Sequence, residues 1–272
     1  MRRIAWALPA AIALVCGCGA SSQAPPAVSQ SPASAMPSPV PTASPASTGI
    51  LRGKVVAVDP GHNGGNFHAA SAIGQLIWNG RETETCDTAG AETDGGYTEA
   101  AFNWDVARYL TADLRAEGAT VVLTRTGNTG VGPCVTERAA IGNQARADAA
   151  ISIHADGGPP GGRGFAILEP VADGPDDAII GPSVTLGADL RAAFARGTGE
   201  PVSSYDGTDG VKFRDDLAGL NLSRVPKVFI ECANMRNATD AALVTSPRWQ
   251  AEAARAIAAG LTSFLARTGA AA

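Results

Sequence analysis

Residues Val55–Gly65 read VVAVDPGHNGG. A valine-rich run suits a strand buried on both faces of a parallel sheet, and Pro60-Gly61 ends it. His62 therefore stands just past a strand's carboxyl end, where open α/β sheets place their ligands. The pattern returns at Ala149–Gly158, AAISIHADGG, where an apolar run enters His154 and then glycines. Glycines after a strand can also cradle a phosphate, but neither G-x-G-x-x-G nor G-x-x-x-x-G-K-[ST] occurs.

The flanking sequence alternates between two periods. Strand-like runs fall at Lys54–Val58, Thr120–Thr124, Ala149–Ile153, Gly164–Leu168 and Lys227–Ile230. Between them lie helical patterns. Glu99–Glu117 carries Phe102, Val106, Leu110 and Leu114 on one stripe and meets Gly118. Thr136–Arg146 follows with Thr136 as its expected N-cap, then Pro182–Arg196, then Ser246–Arg267 with Ile257, Leu261, Phe264 and Leu265 on one face. The expected fold is a single α/β domain, a mainly parallel mixed sheet with helices on both faces. Asn66–Thr98 and Gly197–Arg224 are long and irregular, and loops of that length usually carry function.

The first fifty residues differ in kind. Residues 1–20 combine two arginines, an apolar run from Ile4 to Val15 and small residues, a secretory signal too short to remain as a spanning helix. Cleavage falls after Ala20, or before Cys18 if VCGC is read as a lipoprotein signal with a lipid anchor on Cys18. Residues 21–50, rich in Pro, Ser and Ala, are expected to form an extended tether, and 51–268 a single folded domain. An exported monomer in the cell envelope, periplasmic or extracellular, is expected. The net charge of −5 and the lack of a basic run exclude nucleic acid as a partner.

Chemistry concentrates in few residues. The chain has only three histidines, and His62 and His154 share one structural context while His68 does not. Each could be a hydrogen-bonded loop histidine, but matched placement on one rim points to a shared metal site. Glu99 sits on the apolar stripe of its helix, where a carboxylate needs a partner or a metal. A first-turn glutamate also complements the helix dipole and can reach solvent, so spacing leaves both readings open. In VPKVFIECANM a strand runs straight into Glu231, whose burial would raise its pKa into the range of an acid–base catalyst. An ion pair with an arginine is the structural alternative. No H-E-x-x-H or G-x-S-x-G is present. Cys232 with His154 could suggest a thiol peptidase, but a cysteine at a strand end is more often a small buried hydrophobe.

Five stretches, in order, resemble the zinc-dependent N-acetylmuramoyl-L-alanine amidases of the amidase 3 type: VVAVDPGHNGG, GYTEAAFNWDVARYL, TERAAIGNQARADAAISIHADG, GRGFAIL and VPKVFIECANMRN. They span about Lys54 to Arg267. The resemblance implies one Zn2+ held by His62, Glu99 and His154, with Glu231 as catalytic glutamate, acting on peptidoglycan or muropeptides. The bond it implies is the amide between N-acetylmuramic acid and L-alanine. Asp59 is expected either to orient a ligand histidine as an acceptor or to shape the turn. The sequence departs from the family after Glu231, where Cys232, Ala233 and Asn234 stand in place of a Gly and an aromatic, and at Asp156, where Asn is frequent. Competing functions are a zinc carboxypeptidase or endopeptidase of wall peptides, and a non-catalytic peptidoglycan-binding homologue. Cys86 and Cys134 lie in glycine-rich loops of an exported chain and are expected to form a disulfide, leaving Cys232 a free thiol.

Overall fold

A computed structural model describes residues 49–172 and 177–269, with side chains to 267. The signal at 1–20 and nearly all of the tether lie outside the described residues. Gly49 and Ile50, assigned to the tether by composition, are described with the domain: the Gly49 carbonyl accepts from Arg52 N–H at 3.1 Å.

The main sheet has six strands in the order β4-β1-β5-β8-β6-β7. Its strands are β1 (Val55–Pro60), β4 (Thr120–Leu123), β5 (Ala149–Asp156), β6 (Ala166–Pro170), β7 (Val211–Arg214) and β8 (Lys227–Asn234). All neighbours are parallel except β6 and β8. A hairpin of β2 (Leu76–Trp78) and β3 (Thr83–Thr85) stands apart from it.

Helices α2 (Glu99–Ala116), α4 (Asp177–Thr198) and α7 (Pro247–Gly269) cover one face. The predicted stripes are what they bury: Phe102, Val106, Leu110 and Leu114 of α2 meet Ile257, Leu261, Phe264 and Leu265 of α7 in one cluster with Val56, Val58, Ile151 and Ile153. The other face carries α3 (Val135–Gln144) and α5 (Ala218–Asn221), the latter packing Leu220 on Leu168 and Phe229. The short helices α1 (Ala70–Ile73) and α6 (Ala238–Val244) complete the chain.

Three expectations need correction. The N-cap of α3 is Cys134, not Thr136, and Glu137 reaches back to accept from its backbone N–H at 3.2 Å. Helix α4 spans Asp177–Thr198, so Pro182 lies inside it; it has no N–H to give the Ala178 carbonyl, and both residues are exposed, where water can take that role. The long irregular segments are also more regular than expected: the first holds α1 and the hairpin, the second β7 and α5. These strands are too short for a two-residue period to stand out from a loop.

Candidate metal centre

The stretch Asp59–Asn63 turns at the carboxyl rim of the sheet, and its geometry costs strain. His62 is left-handed, with φ of 56°, a conformation that few non-glycine residues adopt. Two buried arginines hold it by its carbonyl groups. Arg138 donates to Pro60 O at 2.8 Å and His62 O at 2.7 Å, while Arg125 donates to Pro60 O at 2.8 Å and, more loosely, to Gly61 O at 3.3 Å. Gly61 is required for a different reason: a Cβ there would lie 2.1 Å from the His154 ring.

His62 meets Glu99 and His154 at this rim. One ligand atom from each lies within 4.8 Å of the others. His62 Nε2 is 3.2 Å from Glu99 Oε2, and His154 Nδ1 is 2.8 Å from Glu99 Oε1. The two imidazoles meet edge to face with centroids 5.0 Å apart. Glu99 is only 4% exposed, so the solvent-reaching alternative does not describe it. Its oxygens also accept from Ala91 N–H at 2.8 Å and Ala155 N–H at 3.3 Å. Burial would raise the Glu99 carboxyl, but the two histidines outweigh it and hold it well below the usual carboxylate range. Burial would likewise depress the His62 imidazole, but Glu99 and Asp87 outweigh it and lift it to about 10. Two imidazoles and a carboxylate with their ligand atoms converged form a donor set suited to a divalent metal.

Glu231 lies opposite His154 in the β5–β8 register. The register then shifts between His154 and Asp156, so Cys232 and Ala233 both turn into the core under the centre. Glu231 lines the cleft with His62, Glu99 and His154. Its Oε2 is shielded from solvent and has no hydrogen-bond partner among the described residues. Burial, then Glu99 and Asp156, push this carboxyl well above its ordinary range. Cys232 is a free thiol buried in the core, with no exposed surface for a nucleophile. His68 is exposed and is not among the clustered metal-ligating residues.

The residue that orients His62 is one the sequence did not suggest. Asp87 Oδ1 faces His62 Nδ1 at 3.1 Å, and its Oδ2 accepts from Asn63 Nδ2 at 2.9 Å. Asp59 touches neither ligand ring. Its carboxylate is occupied by Arg138 at 2.9 Å, Lys227 at 3.1 Å, Thr124 Oγ1 at 2.6 Å and Ser152 Oγ at 2.7 Å. Ser152 links it onward to His154, standing 3.5 Å from its Nε2, and Arg138 links it to Asp87 at 3.6 Å. Asp87 had no periodicity to mark it, but its place directly after a cysteine was the available signal. Cys86 and Cys134 are disulfide-bonded, with Cα atoms 4.7 Å apart.

A mainly parallel sheet with helices on both faces and a His–Glu–His cluster at its carboxyl rim is an α/β domain with a candidate metal site beside a cleft. The family described as N-acetylmuramoyl-L-alanine amidase, amidase 3, matches residues 56–263. An N-acetylmuramoyl-L-alanine amidase of Mycobacterium tuberculosis is 39% identical over 233 residues, 85% of this chain and 94% of that protein. The crystal structure of the amidase Ami1 from Mycobacterium smegmatis superposes with a TM-score of 0.75 at 41% identity, covering 79% of this chain and 98% of that one. Ami1 from Mycobacterium abscessus gives 0.74 at 39% identity, covering 79% and 99%. The chain belongs to the N-acetylmuramoyl-L-alanine amidase family and is a hydrolase of the cell wall.

Proposed function

We propose that His62, Glu99 and His154 hold one zinc ion and that Glu231 is the acid–base group in hydrolysis of the amide between N-acetylmuramic acid and L-alanine. The observation that carries the reading is the unpartnered Glu231 Oε2, in one cleft with three converged ligand atoms. Two histidines and one carboxylate suit a hydrolytic zinc site, which leaves a coordination position for water. Zinc, when bound, lowers the pKa of water to about 7 and polarises the scissile carbonyl.

The protein's own groups manage orientation and the proton. Asp87 Oδ1 and Thr88 O, 3.1 and 3.2 Å from His62 Nδ1, favour the tautomer with its proton there and keep Nε2 turned to the centre. Ser152 does the same for His154 from the Nε2 side, leaving Nδ1 inward. The Glu231 carboxylate takes the proton of the attacking water and delivers it to the departing L-alanine nitrogen. A carboxyl pushed upward by burial suits both steps. The products are glycan with a free lactyl carboxylate and free stem peptide.

The enzyme acts in the cell envelope after export by residues 1–20, as a monomer tethered by residues 21–48, with a lipid on Cys18 if that signal is used. No described helix is long and apolar enough to cross a membrane.

Metal analysis with two kinds of variant tests the assignment. The wild-type domain should carry about one zinc per chain. His154→Ala should lose zinc and activity together, and His68→Ala neither. Glu231→Gln should keep its zinc while turnover falls by about 10²–10⁴, the range of acid–base groups. Full zinc occupancy in His154→Ala overturns the ligand assignment, and near-normal turnover in Glu231→Gln makes that residue structural. The second result would favour the non-catalytic reading only if the wild type were inactive as well.

A further inference from the structure

We propose that Arg214 recognises a carboxylate on the leaving peptide, the free carboxylate of its second residue, and so sets which stem peptides the enzyme prefers. The inference rests on the amidase reading above and adds to it the group that reads the peptide side of the scissile bond.

The cleft containing Glu231, Glu99, His62 and His154 continues over Leu168 of β6 to Arg214 at the end of β7. Arg214 is the only Lys or Arg among the described residues lining it, whereas Glu99, Asp156 and Glu231 make the remaining charged lining acidic. Away from His62, His154 and the metal centre they form, Arg214 is the one cationic partner that the described lining offers an anionic substrate group.

The guanidinium is fixed in a particular way. Its Nε and Nη2 donate to Asp216 Oδ1 at 2.6 Å and Oδ2 at 2.8 Å. A guanidinium has five N–H donors in a planar fork. Asp216 occupies the Nε–Nη2 edge. The Nη1–Nη2 edge keeps two parallel donors, and Nη1 has no hydrogen bond to the described residues. That edge matches a second carboxylate in bidentate geometry. The side chain is 25% exposed, so this edge is accessible without being loosely solvated.

Spacing selects which carboxylate. Strand β7 lies two places from β8 in the sheet, about 10 Å at roughly 4.8 Å per strand. The arginine arm spans part of that distance, and an extended peptide covers about 3.3 Å per residue. The fork therefore meets a group about two residues from the bond being cut.

The test uses two muramyl peptides that differ only in the second-residue carboxylate, free in one and amidated in the other. Wild-type enzyme should cleave both at the muramyl–alanine bond with a higher kcat/KM for the free acid. Arg214→Gln should lower kcat/KM for the free acid about 30-fold, mainly through KM, as expected for loss of a charge-assisted pair, and change the amidated substrate less than threefold. Asp216→Asn, which loosens the fork without removing its charge, should reproduce a smaller loss with the same substrate bias. Equal losses on both substrates, a loss confined to kcat, or no loss in either variant overturns the proposal. If the wild type cuts neither peptide at the muramyl–alanine bond, the amidase reading itself fails and this proposal falls with it.

Discussion

Asp87 Oδ1 stands 3.1 Å from Nδ1 of His62, and the side chain supplying it is 4% exposed. Burial would raise the Asp87 carboxyl, but His62 and Arg138 outweigh that and hold it ionised. An ionised acceptor behind a ligand imidazole fixes its tautomer and raises its basicity. Asp87→Asn should weaken zinc binding about 10- to 100-fold, with a smaller loss of stability than Asp59→Asn because Arg138 keeps its closer pairing with Asp59. Competition with a chromogenic chelator measures this, and unchanged affinity would falsify the orienting role.

Asp59 should behave in the opposite manner. It is 4% exposed between Arg138 and Lys227, and Lys227 is itself 2% exposed. Breaking a buried ion network by removing one partner costs about 3–5 kcal/mol, because the remaining charges stay buried. Asp59→Asn should lose stability on that scale in urea unfolding, while zinc affinity in the folded fraction changes less than in Asp87→Asn. The reverse ranking of the two variants would show that Asp59 is the orienting acceptor after all.

The Cys86–Cys134 bond sits one residue before Asp87 and at the N-cap of α3, the helix that carries Arg138. It therefore joins the two supports of the His62 turn. Closing a loop of 48 residues constrains the unfolded chain by about 4 kcal/mol in the chain-entropy treatment, an upper figure. Cys86→Ala should lower the melting temperature and reduce activity while zinc is largely kept. A melting temperature equal to wild type under non-reducing conditions contradicts this.

Glu231 must be ionised to accept a proton, so activity falls as pH drops through its raised pKa. Burial and Glu99 lift that pKa, and Asp156 adds to it. Asp156→Asn removes one negative neighbour, and the acid limb of the kcat/KM profile should move to lower pH by about half a unit to one unit, the size of a partly screened charge interaction. An acid limb that moves upward or stays in place removes Asp156 from the residues acting on Glu231.

Much of the architecture could be read from the chain because burial imposes periodicity. The stripe from Phe102 to Leu114 and the runs ending in His62, His154 and Glu231 each follow one period long enough to recognise. His62 and His154 were marked by repetition of context, and Glu99 by a charge on an apolar stripe; these three are the residues the fold brings together. What escaped was either too short or determined from elsewhere in the chain. Strand β7 has four residues, and its Arg214 takes meaning only from a cleft assembled by other strands. Asp87, Arg125 and Arg138 act on backbone carbonyls and a ring nitrogen far away in sequence, and no local pattern encodes such contacts. Of the two readings open for Asp59, its pairing with Arg138, which holds the carbonyls of the His62 turn, favours shaping the turn.

Water driven by Glu231 at the His62–Glu99–His154 centre should cut the muramyl–alanine amide. Digestion of peptidoglycan in water enriched in 18O, with mass spectrometry of the products, tests this. One 18O is expected in the lactyl carboxylate of the glycan product, together with a stem peptide bearing a free, unlabelled L-alanine amino terminus. Label in a peptide carboxyl group, with the muramyl–alanine bond intact, would contradict it and make the enzyme a peptidase of the wall.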